Sequence, residues 1–365
     1  MAAKNQKPAR SRIDRLRFLF SELHADALLV SHPANIRYLC GFSGSAGLLL
    51  VGSSQATFFT DSRYTFQARE EVTSAKIQIA KNGIVRAVGD LLRKGKGQPL
   101  VGYSASHLTV AQKQALQAAS GGRVRWLQDA SVVERLRAVK DREELGRMRE
   151  AAELTSEVCR RALPWIKPGV SELELAGKME LAMKQLGASG PCFDTIVASG
   201  ARSAWAHAKP TSKALKKSEL VVLDHGAILR GYCSDMTRTV FLGRAPQKVR
   251  RLYGAVLEAQ AAAKRAIRQG ITAGEVDDAA RGVLKRYGWA SYFTHSTGHG
   301  LGLEVHEMPR LGRGEKFVLQ EGMVVTVEPG VYVEGLGGIR IEDDVVVTAS
   351  GAVDLTTAPR DLTEL

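Results

Sequence analysis

The stretch GHGLGLEVHE (298–307) sets two histidines and two glutamates among three glycines. Its spacing excludes two common elements. A zinc-protease helix carries its histidines four apart on one face, whereas His299 and His306 are seven apart, among glycines that a helix interior tolerates badly. A dinucleotide loop reads G-x-G-x-x-G between a strand and a helix. Gly298, Gly300 and Gly302 instead give G-x-G-x-G without that frame. The residues that could complete a chemical site with these histidines are four acids on apolar, strand-like runs: Asp224, Asp235, Glu328 and Glu342.

LVVLDHGAILRGYCSDMTRTVFLG (220–243) reads as a hairpin turning near residues 229–231, which places Asp224 and Asp235 roughly opposite each other. MVVTVEPGVYVEGLGGIRIEDDVVVT (323–348) reads as a second hairpin about Gly335, so Glu328 faces Glu342. Directly paired residues have Cβ atoms about 4.5–5.5 Å apart, and like charges so placed repel. Burying them uncompensated costs several kcal/mol each. One mirrored pair could be exposed and accidental; two equivalent pairs on apolar strands call for cations between them. Four carboxylates and one imidazole suit two metal ions that share bridging oxygens. An oxygen-rich set without thiolate points to Mn²⁺, Co²⁺ or Fe²⁺, with Zn²⁺ also admissible. Structural zinc would use cysteines, and the imidazole disfavours calcium. The segment before the second hairpin must cross near these acids, so the imidazole is His299, whose flanking glycines permit close backbone approach, or His306. Glu304 reads as structural, paired with a base, and His225 as a structural residue on the opposite sheet face.

The elements that carry these residues recur. PGVSELELAGKMELAMKQLGA (168–188) lies over QGITAGEVDDAARGVLKRYGWA (269–290), each opening with a capping box, Ser171 with Glu174 and Thr272 with Glu275. Each copy precedes one hairpin, so the C-terminal region reads as a pseudo-symmetric α+β domain. Upstream, strands at 25–31, 47–52 and 56–61 and a helix at 109–120 indicate a smaller α/β domain. A charged helical segment, 132–163, carries the boundary, giving domains 1–135 and 136–365.

Composition sets the outer limits. With 365 residues, two domains are expected. The hydrophobic share of 44% and charged share of 24% are those of globular proteins. The net charge of +13 comes without a nucleic-acid module, and its densest patch, the N-terminus, reads as a frayed start leading into a helix. Cys40, Cys159, Cys192 and Cys233 show no C-x-x-C spacing, which fits a reducing cytoplasm. No apolar run approaches the roughly 20 residues of a membrane helix.

In the contexts DHGAILRGYCSD, GHGLGLEVHE, VTVEPGVY and GIRIEDD, the five residues Asp224, Asp235, His299, Glu328 and Glu342 resemble the ligand set of the dinuclear metallopeptidases of the pita-bread fold. The resemblance covers the whole second domain. NIRYLCGFSGSAG (35–47) with TDSRYTFQA (60–68) is similar to the creatinase-type N-terminal domain of aminopeptidase P and prolidase, and GFSGSAG looks closer to aminopeptidase P. Creatinase shares both domains but lacks the metal ligands.

The resemblance implies that Asp224 binds one metal, that Asp235 and Glu342 bridge both, and that His299 and Glu328 complete the second. It implies attack of a metal-bridging hydroxide on the carbonyl before proline, with Glu328 taking the nucleophile's proton. His207, His295 and His306 match substrate-binding positions, His306 also bonding the tetrahedral intermediate. Tyr332 matches a tyrosine that assists proton transfer. Arg340, grouped with the substrate-binding residues, would hold a ligand carboxylate. The implied protein is a cytoplasmic Xaa-Pro aminopeptidase with two divalent ions, Mn²⁺ first. It acts on short peptides with proline second, as a homodimer, without nucleic acid or membrane. The alternatives are an Xaa-Pro dipeptidase (prolidase) and a non-catalytic peptide- or nucleic-acid-binding relative.

Overall fold

The structure, a computed structural model, describes residues 11–95, 97–128 and 131–365. The frayed basic start expected at the N-terminus falls largely outside them; helix begins at Arg12 and runs to Leu23. The chain divides into two compact units, Met1–Arg137 and Ala138–Leu365.

The N-terminal unit is built on a six-stranded sheet in the order Lys76–Ala80, Ala56–Asp61, Leu48–Gly52, Ala27–Val30, Leu100–Tyr103, Arg125–Gln128. Its central strands are continuous apolar runs because both faces are covered: Leu28, Leu29, Leu49, Val51, Phe58 and Phe59 are all buried. The helix Val110–Ala119 starts at a full capping box between Thr109 and Gln112.

The charged helical segment over 132–163 forms two helices. Val132–Ala138 ends before Val139 bridges Met323, and Asp141 opens a new helix, Arg142–Ala162, through a capping box with Glu144. A strong N-cap inside a helical pattern restarts it.

The C-terminal unit is a doubled α+β arrangement. Helix Glu172–Gln185 is followed by strand Ile196–Ser199 and the hairpin Glu219–His225 with Met236–Leu242. Helix Ala273–Arg286 is followed by strand Gly298–Gly300 and the pair Val324–Val327 with Asp343–Val347. The repeat extends to detail. The cap residues Ser171 and Thr272 form isolated bridges to Ala214 and Val318. Buried Glu172 accepts from the amide and hydroxyl of Ser199, and buried Asp277 accepts from the same groups of Thr297. The capping boxes differ. Thr272 and Glu275 bond reciprocally, but only Ser171 caps its helix, because the Glu174 carboxylate takes Lys178 at 2.7 Å.

The first hairpin corrects an expected register. Arg230 and Gly231 both have positive φ, 49° and 87°, so the chain turns at these two residues. Asp224 therefore pairs with Thr237, and Asp235 lies two residues further along the same strand face. The turn sits one position later than expected, which displaces the pair without turning either acid over. In the second hairpin, Val327 pairs with Asp343 and Gly330 with Arg340 in one register, leaving Glu328 across from Glu342 between the two ladders. Among the described residues, no helix is long and apolar enough to cross a membrane.

Candidate metal centre

Strand alternation brings the acids to one place. Asp224, Asp235 and Glu342 are buried, at 8%, 5% and 2% exposure. One ligand atom each from Asp235, His299 and Glu342 lie within 4.8 Å of one another. His299 Nε2 stands 3.6 Å from Asp235 Oδ2 and 3.5 Å from Glu328 Oε1. Burial, then repulsion from Glu342 and Asp224, pushes the Asp235 carboxyl well above the carboxylate range. Burial and the Glu328 charge do the same to Glu342. Burial pushes Glu328 up to about 8 against the relief of Arg340.

His299 is fixed by its second nitrogen. Nδ1 lies 3.0 Å from Gly300 O, a contact that requires the Nδ1–H form and leaves the Nε2 lone pair facing the acids. Burial holds this imidazole neutral, down to about 4. Its amide donates to Thr326 Oγ1 at 3.1 Å. The neighbouring glycines permit the crossing: a Cβ on Gly298 would lie 1.9 Å from Thr326 O, and one on Gly300 2.1 Å from Met308 O.

Around the acids lies a frame of donors. Arg340 Nη2 donates to Asp224 Oδ2 at 2.5 Å, its Nε to Thr237 Oγ1 at 3.0 Å, and its Nη1 to the Tyr332 hydroxyl and, at 3.2 Å, to Ala206 O. Thr237 donates onward to Glu342 Oε2 at 2.6 Å. Arg340 is thus buried and spent on protein groups, which places it as a holder of Asp224 rather than an open substrate contact. Arg238 donates to Glu342 O and to Asp343, a buried carboxylate that Arg238, Lys264 and Arg360 hold at about 2 despite its burial.

The remaining histidines gather at the same cluster. The His306 ring lies 4.4 Å from that of His299, edge to face, and is exposed. His295 Nε2 lies 2.9 Å from the Tyr332 hydroxyl, and burial holds this ring down to about 4. Burial likewise raises Tyr332 to about 12. His207, exposed, acts electrostatically on both His295 and His306, lowering each. All ten candidate residues therefore fall in one region of the C-terminal unit. His225 turns away: it is fully buried, with Nε2 3.2 Å from Thr155 O, and burial drives it down to about 4. In the same glycine-rich stretch the Glu307 carboxylate meets buried Lys140 at 3.2 Å.

Three residues of the frame escaped the sequence reading. Thr237 stands two after Asp235, and Thr326 two before Glu328, to which it hydrogen-bonds. Strand alternation alone puts each on its acid's face. Asp344 accepts the Asp235 amide at 2.9 Å, and no local signal marks it.

The donor set fits divalent cations. Among the described residues, Asp224 Oδ1 and Asp235 Oδ1 are buried with no hydrogen-bond partner, and the acids around them are mutually repelled. A cation would satisfy the orphaned oxygens and remove the repulsion. A cavity of about 900 Å³ in the N-terminal unit, lined by residues such as Asp61, Arg86 and Gln112, contains none of these groups.

Two family models match the chain: Creatinase/Prolidase N-terminal domain over residues 12–139, and Metallopeptidase family M24 over residues 146–349. The chain is 36% identical over 354 residues to the Xaa-Pro dipeptidase of Pyrococcus furiosus, covering 97% of this chain and 99% of that one. A solved Xaa-Pro dipeptidase from Bacillus anthracis superposes with a TM-score of 0.93 at 38% identity, over 97% and 99% of the two chains. The X-Pro aminopeptidase of Thermotoga maritima gives 0.89 at 34% identity, over 98% and 100%.

Proposed function

The chain belongs to metallopeptidase family M24, and from that premise we propose that it is an Xaa-Pro dipeptidase, releasing proline from dipeptides. The observation that carries the reading is the buried set Asp224, Asp235, Glu328 and Glu342 around His299, with orphaned oxygens that a divalent ion would satisfy. The aminopeptidase reading drawn from GFSGSAG is set second. Two of the three relatives described above are named as dipeptidases, at 36% and 38% identity. The stretch itself is taken up by local packing. Ser43 donates twice to Glu71, and a Cβ on Gly47 would lie 2.4 Å from the Phe58 ring. Aminopeptidase activity remains the alternative, favoured by the Thermotoga maritima structure.

In this reading the five residues hold two divalent ions, with Mn²⁺ the expected species from the oxygen-rich donors. When bound, the ions supply Lewis acidity to the scissile carbonyl and lower the pKa of a water to near neutrality. The chain's own groups do the rest. Arg340 fixes the Asp224 carboxylate and, through Thr237, that of Glu342. The Glu328 carboxylate, 3.5 Å from His299 Nε2 within the cluster, is placed to take up a proton and return it. Tyr332 accepts from Arg340 and gives its proton to His295 Nε2 at 2.9 Å, so its hydroxyl links the two side chains beside the cluster. His207 and His306, exposed beside the cluster, bind the substrate's carbonyl and proline carboxylate. A homodimer in the cytoplasm completes the proposal. The test is hydrolysis of Xaa-Pro against Xaa-Pro-Yaa peptides with Mn²⁺ and with chelator. Cleavage of the tripeptide alone would return the protein to the aminopeptidases.

A further inference from the structure

Two arginines hold the segments that carry His207 and His295, and they hold them in the same way. In the first half of the C-terminal unit, one oxygen of buried Glu172 accepts the Ser199 amide at 2.9 Å and hydroxyl at 2.8 Å. Its other oxygen accepts the Thr211 amide at 3.1 Å and hydroxyl at 2.9 Å, so one carboxylate closes both ends of the loop. Arg202 rises from inside this loop. Its Nε donates to Glu172 Oε2 at 3.1 Å and its Nη2 to Lys209 O at 2.5 Å. Its guanidinium lies 4.8 Å from the centre of the Trp205 ring, within cation–π range. Trp205 and Lys209 flank His207 by two residues on either side.

In the second half, buried Asp277 stands where Glu172 did, accepting the Thr297 amide and hydroxyl and, at 2.5 Å, Arg281 Nε. Arg281 Nη1 donates to Phe293 O at 2.9 Å and Nη2 to His295 O. Its guanidinium lies 4.1 Å from the centre of the Phe293 ring, again two residues before the histidine. Thr297 O in turn accepts the Glu328 amide at 2.7 Å. Duplication alone does not produce this match. With Ser171 laid on Thr272, Glu172 falls on Ala273, and Asp277 on Ala176. The arginine comes from the loop in one half and from the helix in the other. Residues that do not correspond have reached one arrangement, as a shared demand on the two histidines would require.

We infer that Arg202 and Arg281, each seated on a helix carboxylate, are positioning residues: Arg202 sets His207 for substrate, and Arg281 sets His295 together with the Glu328 backbone. The roles of these histidines rest on the proposed peptidase reading; the clamps do not. Each arginine fixes the backbone on which an imidazole stands. Its planar fork reaches carboxylate, carbonyl and ring together, which the point charge of lysine cannot do. The two clamps differ in what they serve. His207 is exposed beside the cluster, so its clamp governs substrate binding. His295 bonds the Tyr332 hydroxyl and Thr297 O bonds the Glu328 amide, so the second clamp governs the reacting groups.

The experiment compares the full chain with Arg202→Met and Arg281→Met by hydrogen exchange and by kinetics on Ala-Pro at saturating Mn²⁺. Arg202→Met should speed exchange in 199–211 and raise KM about tenfold, the loss of one charge-assisted contact, with kcat near the parent's. Arg281→Met should speed exchange in 293–297 and lower kcat about 10–100-fold, with the smaller effect on KM. Arg202→Lys and Arg281→Lys should fall between, and they carry the test if a methionine variant does not fold. Lys178→Met, which breaks the exposed pair with Glu174, should change neither constant. Faster exchange with both constants unchanged makes the arginines merely structural and overturns the inference. Exchange unchanged in both segments, or the same kinetic loss from both variants, overturns it as well. A parent that cleaves no Xaa-Pro peptide in Mn²⁺ overturns the peptidase reading instead, and exchange then decides the clamps by itself.

Discussion

Arg340 donates to Asp224 at 2.5 Å, a buried charge pair that ties the second hairpin of the C-terminal unit to the first. Removing one partner of such a pair strands the other. Arg340→Met is expected to destabilise the metal-free protein by about 3–5 kcal/mol, with part of the loss recovered by Mn²⁺. Arg340→Lys keeps the charge but cannot reach Thr237, Tyr332 and Asp224 together, so an intermediate loss is expected. Urea unfolding in chelator and in Mn²⁺ measures both, and a negligible loss for Arg340→Met contradicts the pairing.

Asp235→Asn should separate binding from folding. Burial and repulsion from Glu342 and Asp224 already disfavour this carboxylate in the metal-free state. The variant is expected to match or exceed the parent's stability in chelator, while Mn²⁺ affinity and turnover fall more than about 100-fold. Thermal unfolding with calorimetry checks this; unchanged Mn²⁺ affinity would remove Asp235 from the ligands.

The pH dependence of the metal-free protein follows from the same shifts. Glu328 is raised from its ordinary 4.5 to about 8, and Asp235 and Glu342 are raised as well. Groups that bind protons more tightly when folded contribute stability below their unfolded pKa and lose it as pH rises through the folded one. For Glu328 that window runs from 4.5 to about 8. His299, lowered from 6.5 to about 4, has the opposite sign, and its contribution is lost only as pH falls through that range. Stability in chelator should therefore decline from about pH 6.5 to about 8, and Mn²⁺ should flatten the decline. Urea midpoints that rise across this window would be incompatible with the buried, repelled acids.

Gly298→Ala tests the close crossing. Its Cβ would meet Thr326 O at 1.9 Å, so backbone must move and carry His299 with it. A loss of about 1–3 kcal/mol and a marked fall in turnover are expected. Gly146→Ala, in the helix Arg142–Ala162 with open space at its Cβ, should stabilise by up to about 1 kcal/mol. Equal effects at the two positions, read by thermal unfolding, would deny Gly298 its special role.

Much of this site is written in strand alternation. Period two placed Asp224 and Asp235 on one face even though the turn at Arg230–Gly231 shifted their pairing, because the displacement kept parity. The same rule, applied to Thr237 and Thr326, would have found the hydroxyls that hold Glu342 and Glu328. Asp344 was illegible, since its partner is a backbone amide 109 positions away. The break at Asp141 was legible, since Asp141 and Glu144 repeat the capping-box spacing read at Ser171 and Thr272. The choice between dipeptide and longer substrate is not written in GFSGSAG, which serves packing; relatives named as dipeptidases favour the shorter substrate.

The central claim is that the buried carboxylates hold ions that serve hydrolysis before proline in dipeptides. Its most direct test is the kcat/KM for an Xaa-Pro dipeptide and for the matching Xaa-Pro-Yaa tripeptide, in Mn²⁺ and after chelation. The account predicts Mn²⁺-dependent release of free proline from the dipeptide, with the tripeptide a poor substrate and chelator abolishing turnover. Binding of Mn²⁺ with cleavage of neither peptide would contradict it.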